Sequence, residues 1–82
     1  MIELLYFAWV REQMGSNGER LALPEGVGTV GALLDWLDAR NTGGPFAERA
    51  RLRVAVNQSF AGADAPLNPG DEVAIFPPVT GG

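Results

Sequence analysis

Residues 29–41, TVGALLDWLDARN, carry the strongest secondary-structure signal in this 82-residue chain. Thr29 is a favourable N-cap, because its hydroxyl can accept a hydrogen bond from a free N–H of the first helical turn. Apolar side chains then recur at helical spacing and form one stripe: Val30, Leu33, Leu34 and Leu37. The pattern predicts a helix that ends near Asn41, where a Thr-Gly-Gly-Pro sequence follows.

Short apolar or alternating segments on both sides of this helix predict strands. We expect them at residues 2–10, 19–23, 52–57 and 72–76. Turn-forming residues separate them at 11–18, where a short helical turn is an option, and at 57–59 and 68–71. A short second helix is expected from Pro45 to Arg49. The order strand, strand, helix, strand, strand predicts an α+β domain in which one main helix packs across a mixed sheet.

Side-chain alternation assigns the two faces of the predicted sheet, because an ionised carboxylate does not point into a dry core. Glu3 and Glu72 therefore mark the outer face. The same parity places an apolar group on that face: Leu5, Phe7, Ala74 and Phe76, with Phe60 as a candidate further member. A patch with aromatic anchors is typical of a protein-binding surface. The alternative is that a loop covers these side chains or that they belong to a two-sided core.

The composition excludes most kinds of side-chain catalysis. The chain has no cysteine and no histidine, and all six of its cationic residues are arginine. A thiol nucleophile, a Cys/His zinc site, a Ser-His-Asp triad and a lysine Schiff base are therefore excluded. The carboxylate pairs Asp35/Asp38 and Asp71/Glu72 could bind a metal or act as acid and base, but a solvated helix face and a turn are the favoured interpretations. No metal site is predicted.

The charge pattern argues against nucleic-acid and membrane partners. Net charge is −4, whereas nucleic-acid binding requires a basic surface. The acidic Glu3 precedes most of the N-terminal apolar run, and no apolar stretch is long enough to span a bilayer, so neither a signal peptide nor a membrane anchor is expected. The lack of cysteine fits a reducing compartment, and a cytoplasmic location is expected. The cluster Arg49, Arg51 and Arg53 could bind an anionic partner or be a solvated surface, and its role stays open.

The final residues, PPVTGG, predict an extended tail at 77–82 after a folded domain at 1–76. Pro77 and Pro78 cannot donate to a strand ladder and favour extended backbone. Gly81 and Gly82 have no Cβ atom, so they can thread a narrow channel. An ionised terminal carboxylate is a poor electrophile, and its activation would have to come from outside, most simply as an acyl-adenylate made from ATP. Sulfide would convert that acyl group to a thiocarboxylate. A frayed end is the alternative.

The whole chain resembles one known family. The resemblance rests on the segment 70–82, GDEVAIFPPVTGG, on the upstream Val56-Asn57 pair and on the helix that begins after Thr29. They are similar to the MoaD family, the small subunits of molybdopterin synthase, whose fold is the ubiquitin-like β-grasp. The paired prolines are the specific part, because the thiamine sulfur carriers of the same fold also end in Gly-Gly but usually lack them.

The resemblance implies a sulfur-carrier cycle. An adenylating enzyme related to ubiquitin activators would use ATP to adenylate Gly82, and a sulfurtransferase would supply the sulfur for the thiocarboxylate. The carrier would then dock on the large synthase subunit, in a heterotetramer, and donate sulfur to cyclic pyranopterin monophosphate to form the molybdopterin dithiolene. The chain itself would bind no cofactor and would have sulfurtransferase activity only with that subunit.

The resemblance also assigns roles to individual residues. Gly82 would carry the reactive group, with Gly81 beside it. Four tail residues would enter the large subunit's active site: Pro77, Pro78, Val79 and Thr80. Three phenylalanines would contact the partner: Phe7, Phe60 and Phe76. Two alternatives remain, namely a sulfur carrier for thiamine or cysteine synthesis and a ubiquitin-like interaction or conjugation module.

Overall fold

A computed structural model describes residues 1–78. These residues form a five-stranded mixed sheet with one long helix across one face. The strands are β1 Ile2–Tyr6, β2 Gly18–Leu21, β3 Arg53–Val56, β4 Ser59–Ala61 and β5 Glu72–Phe76. The helices are α1 Ala8–Met14 and α2 Val30–Arg40, and two 3₁₀ turns follow at Pro45–Ala47 and Arg49–Arg51. The strand order is β2-β1-β5-β3-β4, in which β1 and β5 are parallel and the other neighbours are antiparallel.

The core lies between α2 and the inner face of the sheet. The helix contributes its predicted stripe, Val30, Leu33, Leu34 and Leu37, all buried. The two central strands contribute Ile2, Leu4, Tyr6, Val73 and Ile75, which are at most 1% exposed. These are the residues that alternation assigns to the inner face, so the prediction of the two faces from Glu3 and Glu72 is confirmed. Among residues 1–78 no helix is long and apolar enough to cross a bilayer.

The first strand is shorter than predicted. It ends at Tyr6 rather than at residue 10, because Ala8 takes a positive φ of 53° and the backbone enters α1 there. Val10 is then fully buried from a helix and not from a strand. Gly15, with φ 70°, ends α1 and donates its N–H to the Arg11 carbonyl at 2.9 Å. The continuous apolar run hid this helix, since an apolar run alone does not distinguish a strand from a buried helix.

A second difference is the hairpin after β3. The predicted turn at 57–59 is a tight connection in which Asn57 and Gln58 have φ 50° and 71°, and it leads directly into β4. Two consecutive positive φ values are the pattern of a type I′ hairpin turn, for which Asn-Gly is the usual signal. The sequence here is Asn-Gln, so the strand that holds Phe60 was predicted only as a loop.

The remaining boundaries lie close to their predictions. Thr29 caps α2 by accepting a hydrogen bond from the Ala32 N–H at 3.2 Å, and α2 ends at Arg40. Strand β2 spans Gly18–Leu21 instead of 19–23, and the predicted helix at Pro45 is the pair of 3₁₀ turns. Gly70 has φ 93°, as the third position of a type II turn requires. The domain boundary after residue 76 stays a prediction, although β5 does end at Phe76.

Candidate functional site

The outer face of the sheet has a row of apolar side chains across four strands. Strand register places Leu5 beside Ala74, Ala74 beside Ala55 and Ala55 beside Phe60. Ala74 and Ala55 in the middle of the row are small, so the outer face forms a shallow apolar depression between the larger side chains of Leu5 and Phe60. Both α-helices of the described part of the chain contribute to the core on the other side of the sheet, α2 through its buried stripe and α1 through Val10.

Phe60 and Phe76 meet above this row. Their ring centroids are 6.0 Å apart in a tilted arrangement, which is within the range of favourable aromatic pairs. Strand β3 runs between them, and the small Ala55 side chain leaves room for the rings to approach. Phe60 is nevertheless 82% exposed, because β4 is an edge strand of the sheet. An aromatic ring left this open to water has most of its burial energy still to gain from a partner.

Phe7 lies at the end of β1 beside the end of β5. Its backbone is extended, with φ −126° and ψ 153°, and its N–H donates to the Ile75 carbonyl at 3.1 Å. It therefore continues the outward alternation of Glu3 and Leu5, and it is 47% exposed. The structure thus brings the three predicted contact residues to one face and one end of the sheet. Their role as partner contacts stays a prediction.

A groove runs from the aromatic pair Phe60 and Phe76 to Pro78 at the start of the predicted tail. Its volume is about 490 Å³, and it is lined by Arg53, Val54, Phe60, Ala61, Gly62, Phe76 and Pro78. Pro77 and Pro78 follow β5 without secondary structure. The predicted tail residues Val79 and Thr80 and the predicted reactive residues Gly81 and Gly82 lie outside the described residues.

Two of the four carboxylates considered as acid, base or metal ligands, Asp71 and Asp35, have structural partners. Asp71 accepts hydrogen bonds from the Asn68 N–H at 2.8 Å and from Asn57 Nδ2 at 2.9 Å. The Asn68 hydrogen bond, then that of Asn57, holds the pKa of Asp71 below its usual range. Asn57 Oδ1 in turn accepts from the Glu72 N–H at 3.0 Å, so this cluster joins the hairpin turn to the start of β5. Asp35 forms an ion pair with Arg49.

A hydrogen-bond network around the buried Tyr6, with the partly exposed Glu19 and Arg40, was not predicted from the sequence. The Tyr6 hydroxyl donates to Glu19 Oε2 at 2.7 Å, and Arg40 binds the same carboxylate with both terminal nitrogens at 2.9 and 2.7 Å. Desolvation and the Glu19 carboxylate raise the pKa of Tyr6, while the Arg40 hydrogen bonds hold the pKa of Glu19 below its usual range. Arg40 also stacks over Trp36, 4.9 Å from the ring centroid. The network connects the end of α2 to β2 and has no link to the outer face.

The predicted arginine cluster separates into three different environments. Arg49 pairs with Asp35, and Arg51 pairs with Glu48 at 3.0 Å while stacking over Trp9 at 4.6 Å. Arg53 has no carboxylate within ion-pair distance among residues 1–78 and lines the groove instead. The cluster is therefore not one anion site.

Comparison with known proteins agrees with this geometry. A family model described as the ThiS family matches residues 4–82. This chain belongs to the ThiS family. It is 45% identical to the molybdopterin synthase sulfur carrier subunit of Escherichia coli (strain K12), over 100% of both chains.

Solved structures confirm the ubiquitin-like β-grasp predicted for this ThiS-family chain. The putative molybdopterin converting factor, subunit 1, of Pyrococcus furiosus superposes with a TM-score of 0.79 at 32% identity, covering 95% of this chain and 97% of that one. A Helicobacter pylori structure of the complex of subunits 1 and 2 of molybdopterin-converting factor matches with a TM-score of 0.65 at 20% identity, covering 99% and 97%. At that identity the Helicobacter match bears on the fold alone.

Proposed function

We propose that this chain is the sulfur carrier subunit of a molybdopterin synthase. Its reactive group would be the thiocarboxylate of Gly82, which donates sulfur to cyclic pyranopterin monophosphate in building the dithiolene. The observation that carries the proposal is the 45% identity over the full length of both chains to the Escherichia coli subunit of that name. The composition supports it, because a main-chain carboxylate needs no cysteine, histidine or lysine.

Docking on a large subunit belongs to the same proposal. The outer face would be covered, with Phe7, Phe60 and Phe76 as the contacts, and the tail 77–82 would enter the active site of the large subunit. The exposure of Phe60 and the groove that leads to Pro78 support this orientation. The Helicobacter pylori structure is a complex of subunits 1 and 2 of molybdopterin-converting factor. Two carriers on a dimer of large subunits would give the heterotetramer.

Activation of the carrier is proposed to come from two other proteins. The Gly82 carboxylate attacks the α-phosphorus of ATP on an adenylating enzyme, releasing pyrophosphate and leaving an acyl-adenylate. Sulfide-level sulfur delivered by a sulfurtransferase then attacks the acyl carbon, so that a C–S bond forms as the C–O bond to AMP breaks, AMP leaves and the thiocarboxylate remains. The carrier itself binds no cofactor in this scheme, and the cycle is proposed to run in the cytoplasm because it needs ATP and a reduced sulfur source.

The proposal is tested in two steps, an intact-mass measurement of the carrier and an assay for molybdopterin. The full chain is first incubated with an adenylating enzyme, ATP and a sulfide source, and exchange of one terminal oxygen for sulfur is expected. Failure of this exchange with an adenylating enzyme active on its own carrier contradicts every sulfur-carrier function, including the thiamine and cysteine pathways. The thiocarboxylated chain is then mixed with the large synthase subunit and cyclic pyranopterin monophosphate. Formation of molybdopterin is expected, and its absence would point to another sulfur pathway.

A further inference from the structure

Arg53 is the polar side chain of an otherwise apolar groove. It lines this space together with Phe60, Phe76 and Pro78. Its Nη1 donates to the carbonyl of the adjacent Leu52 at 2.8 Å, and it makes no ion pair within residues 1–78. The remaining guanidinium donors are therefore available to a ligand, and a guanidinium matches the geometry of a carboxylate.

Charge is also separated along the outer face. Arg53 lies beside Phe76 in the strand register, at the end of the face where the tail begins. Glu3 and Glu72 lie beside each other four residues away along β5, at the opposite end. At about 3.3 Å per residue these two ends are roughly 13 Å apart, with the apolar row between them. A protein that covers the face therefore meets one cation, Arg53, at the tail end, and at the far end it meets the two carboxylates with Arg20 beside Glu3.

We infer that the groove receives an acidic residue of the large subunit, whose carboxylate binds Arg53 while a neighbouring apolar side chain packs against Phe60 and Phe76. The inference rests on the proposed function, since it names what that subunit presents at the same face. The groove holds about 490 Å³, room for a few side chains rather than an ordered domain element. Its single cationic group and apolar walls fit an amphipathic protein segment and do not fit a polyphosphate, which needs several donors.

This contact has a consequence for the orientation of the carrier. An apolar patch can be covered in several rotations at similar energy, whereas a charge pair at one end favours one of them. Because Arg53 and Pro78 line the same groove, the favoured rotation also directs the tail. The ion pair between Arg53 and the acidic residue should therefore raise the fraction of encounters that bring the tail to the active site of the large subunit. It should also lengthen the lifetime of the complex.

Charge reversal with a matched control tests the contact. Arg53→Glu and Arg20→Glu change the net charge equally, both start from exposed strand positions, and Arg20 lies beside Glu3 at the far end. With the purified large subunit as the probe, Arg53→Glu should weaken binding about tenfold, and Arg20→Glu should change it less than about twofold. The neutral Arg53→Gln should lose most of the salt dependence of the wild-type affinity.

Two results of this titration overturn different claims. The inference is overturned if the wild-type chain and Arg53→Glu bind equally well, or if both charge reversals lose affinity equally. In either case the proposed function stands. Absence of binding by the wild-type chain contradicts the proposed function as well. A melting curve for each variant establishes that the fold is intact.

Cross-linking identifies the partner group directly. The chain has no lysine, so Arg53→Lys introduces a single side-chain amine. A carbodiimide activates a carboxylate, and attack by that amine forms an amide as the urea leaves. Peptide mass spectrometry of the treated complex should show residue 53 joined to an Asp or Glu of the large subunit. In the Arg20→Lys control, residue 20 should not be joined to that subunit. Residue-53 cross-links confined to this chain's own carboxylates would overturn the inference.

Discussion

Phe60 is a large apolar residue in a mostly solvent-exposed position. Its ring is 82% exposed on an edge strand and rests only partly on Phe76. Such exposure contributes little to the stability of the isolated chain, since the ring has gained little from leaving water. We therefore attribute its presence to a partner surface.

Replacing Phe60 with aspartate tests this assignment. Phe60→Asp should weaken binding to the large subunit by about tenfold or more, because it removes an aromatic anchor and places a charge in the contact. The melting temperature should stay close to that of the wild type, since the side chain is not part of the core. Ser59→Asp is the matched control, with the same new charge on the same strand but the opposite parity. Equal losses in both variants, measured by titration calorimetry, would contradict the assignment.

Tyr6 provides a pH-dependent test of its network with Glu19 and Arg40. The pKa of Tyr6 is raised by desolvation and by the Glu19 carboxylate. Above about pH 10 the unfolded chain loses the tyrosine proton while the folded protein keeps it, so the free energy of unfolding falls as pH rises. The chain has one tyrosine and neither lysine nor cysteine, so no other side-chain type titrates in this range.

The Tyr6→Phe variant isolates this effect. The substitution should lower the free energy of unfolding by about 1 kcal/mol near neutral pH, because the hydrogen bond to Glu19 is lost. Its free energy of unfolding should then stay nearly level from about pH 9 to 11, where the wild-type value declines. Urea denaturation at a series of pH values measures both slopes. Parallel declines in the two proteins would show that Tyr6 is not the group responsible.

At the scale of elements, the hairpin between β3 and β4 positions the patch. Its two turn residues have positive φ values, a backbone region that glycine enters without the Cβ penalty. Asn57 is suited to this position, and its side chain also binds Asp71 and the Glu72 N–H. Gln58, with φ 71°, makes no side-chain hydrogen bond of this kind within residues 1–78 and adopts the left-handed conformation at a steric cost.

Gln58→Gly should therefore stabilise the protein. The expected gain is about 0.5–1 kcal/mol in the free energy of unfolding, because Asn-Gly is the preferred sequence of this turn type. Gln58→Ala is the control and should give no gain, since alanine retains the Cβ atom. The measurement is the urea midpoint at an unchanged denaturant slope. Destabilisation by glycine would mean that the Gln58 side chain has a role outside the turn geometry.

At the scale of the whole molecule, the core and the apolar outer face are both formed by residues 1–78, and the proposed reactive residue Gly82 follows them in the sequence. The core lies between α2 and the sheet, the patch lies on the other face, and Pro77 and Pro78 begin the predicted tail at one end. A chain of this size buries a modest core, and coverage of its outer face by a partner would add to its stability.

Deletion of Gly82 tests this separation. The shortened chain should keep the wild-type melting temperature and most of its affinity for the large subunit, because the core and the patch are formed by residues 1–78. It should produce no molybdopterin in the reconstituted reaction, since the acyl group would be displaced from its position. Gly28→Ala, at an open site outside the sheet, is a fold-neutral control. Loss of the fold on deletion would contradict the separation of tail and domain.

The sequence by itself determined α2, the two faces of the sheet and the chemistry possible for the chain. The Thr29 cap and the apolar stripe act within one helix, and Glu3 and Glu72 reveal parity within single strands. These signals are readable because helix and strand periodicity are local properties of the backbone. The composition likewise restricted the reactive groups to carboxylates, hydroxyls and chain ends.

Only the tertiary structure decided which distant residues meet. The end of β1 depends on burying Val10 from a helix, which an apolar run cannot reveal. The contact of Phe60 with Phe76 depends on the register of β3 with both of its neighbours, and so does the position of Arg53, which makes no ion pair within residues 1–78. Strand pairing joins residues far apart in sequence, and its register is set by the packing of the whole sheet against α2, so no local pattern encodes it.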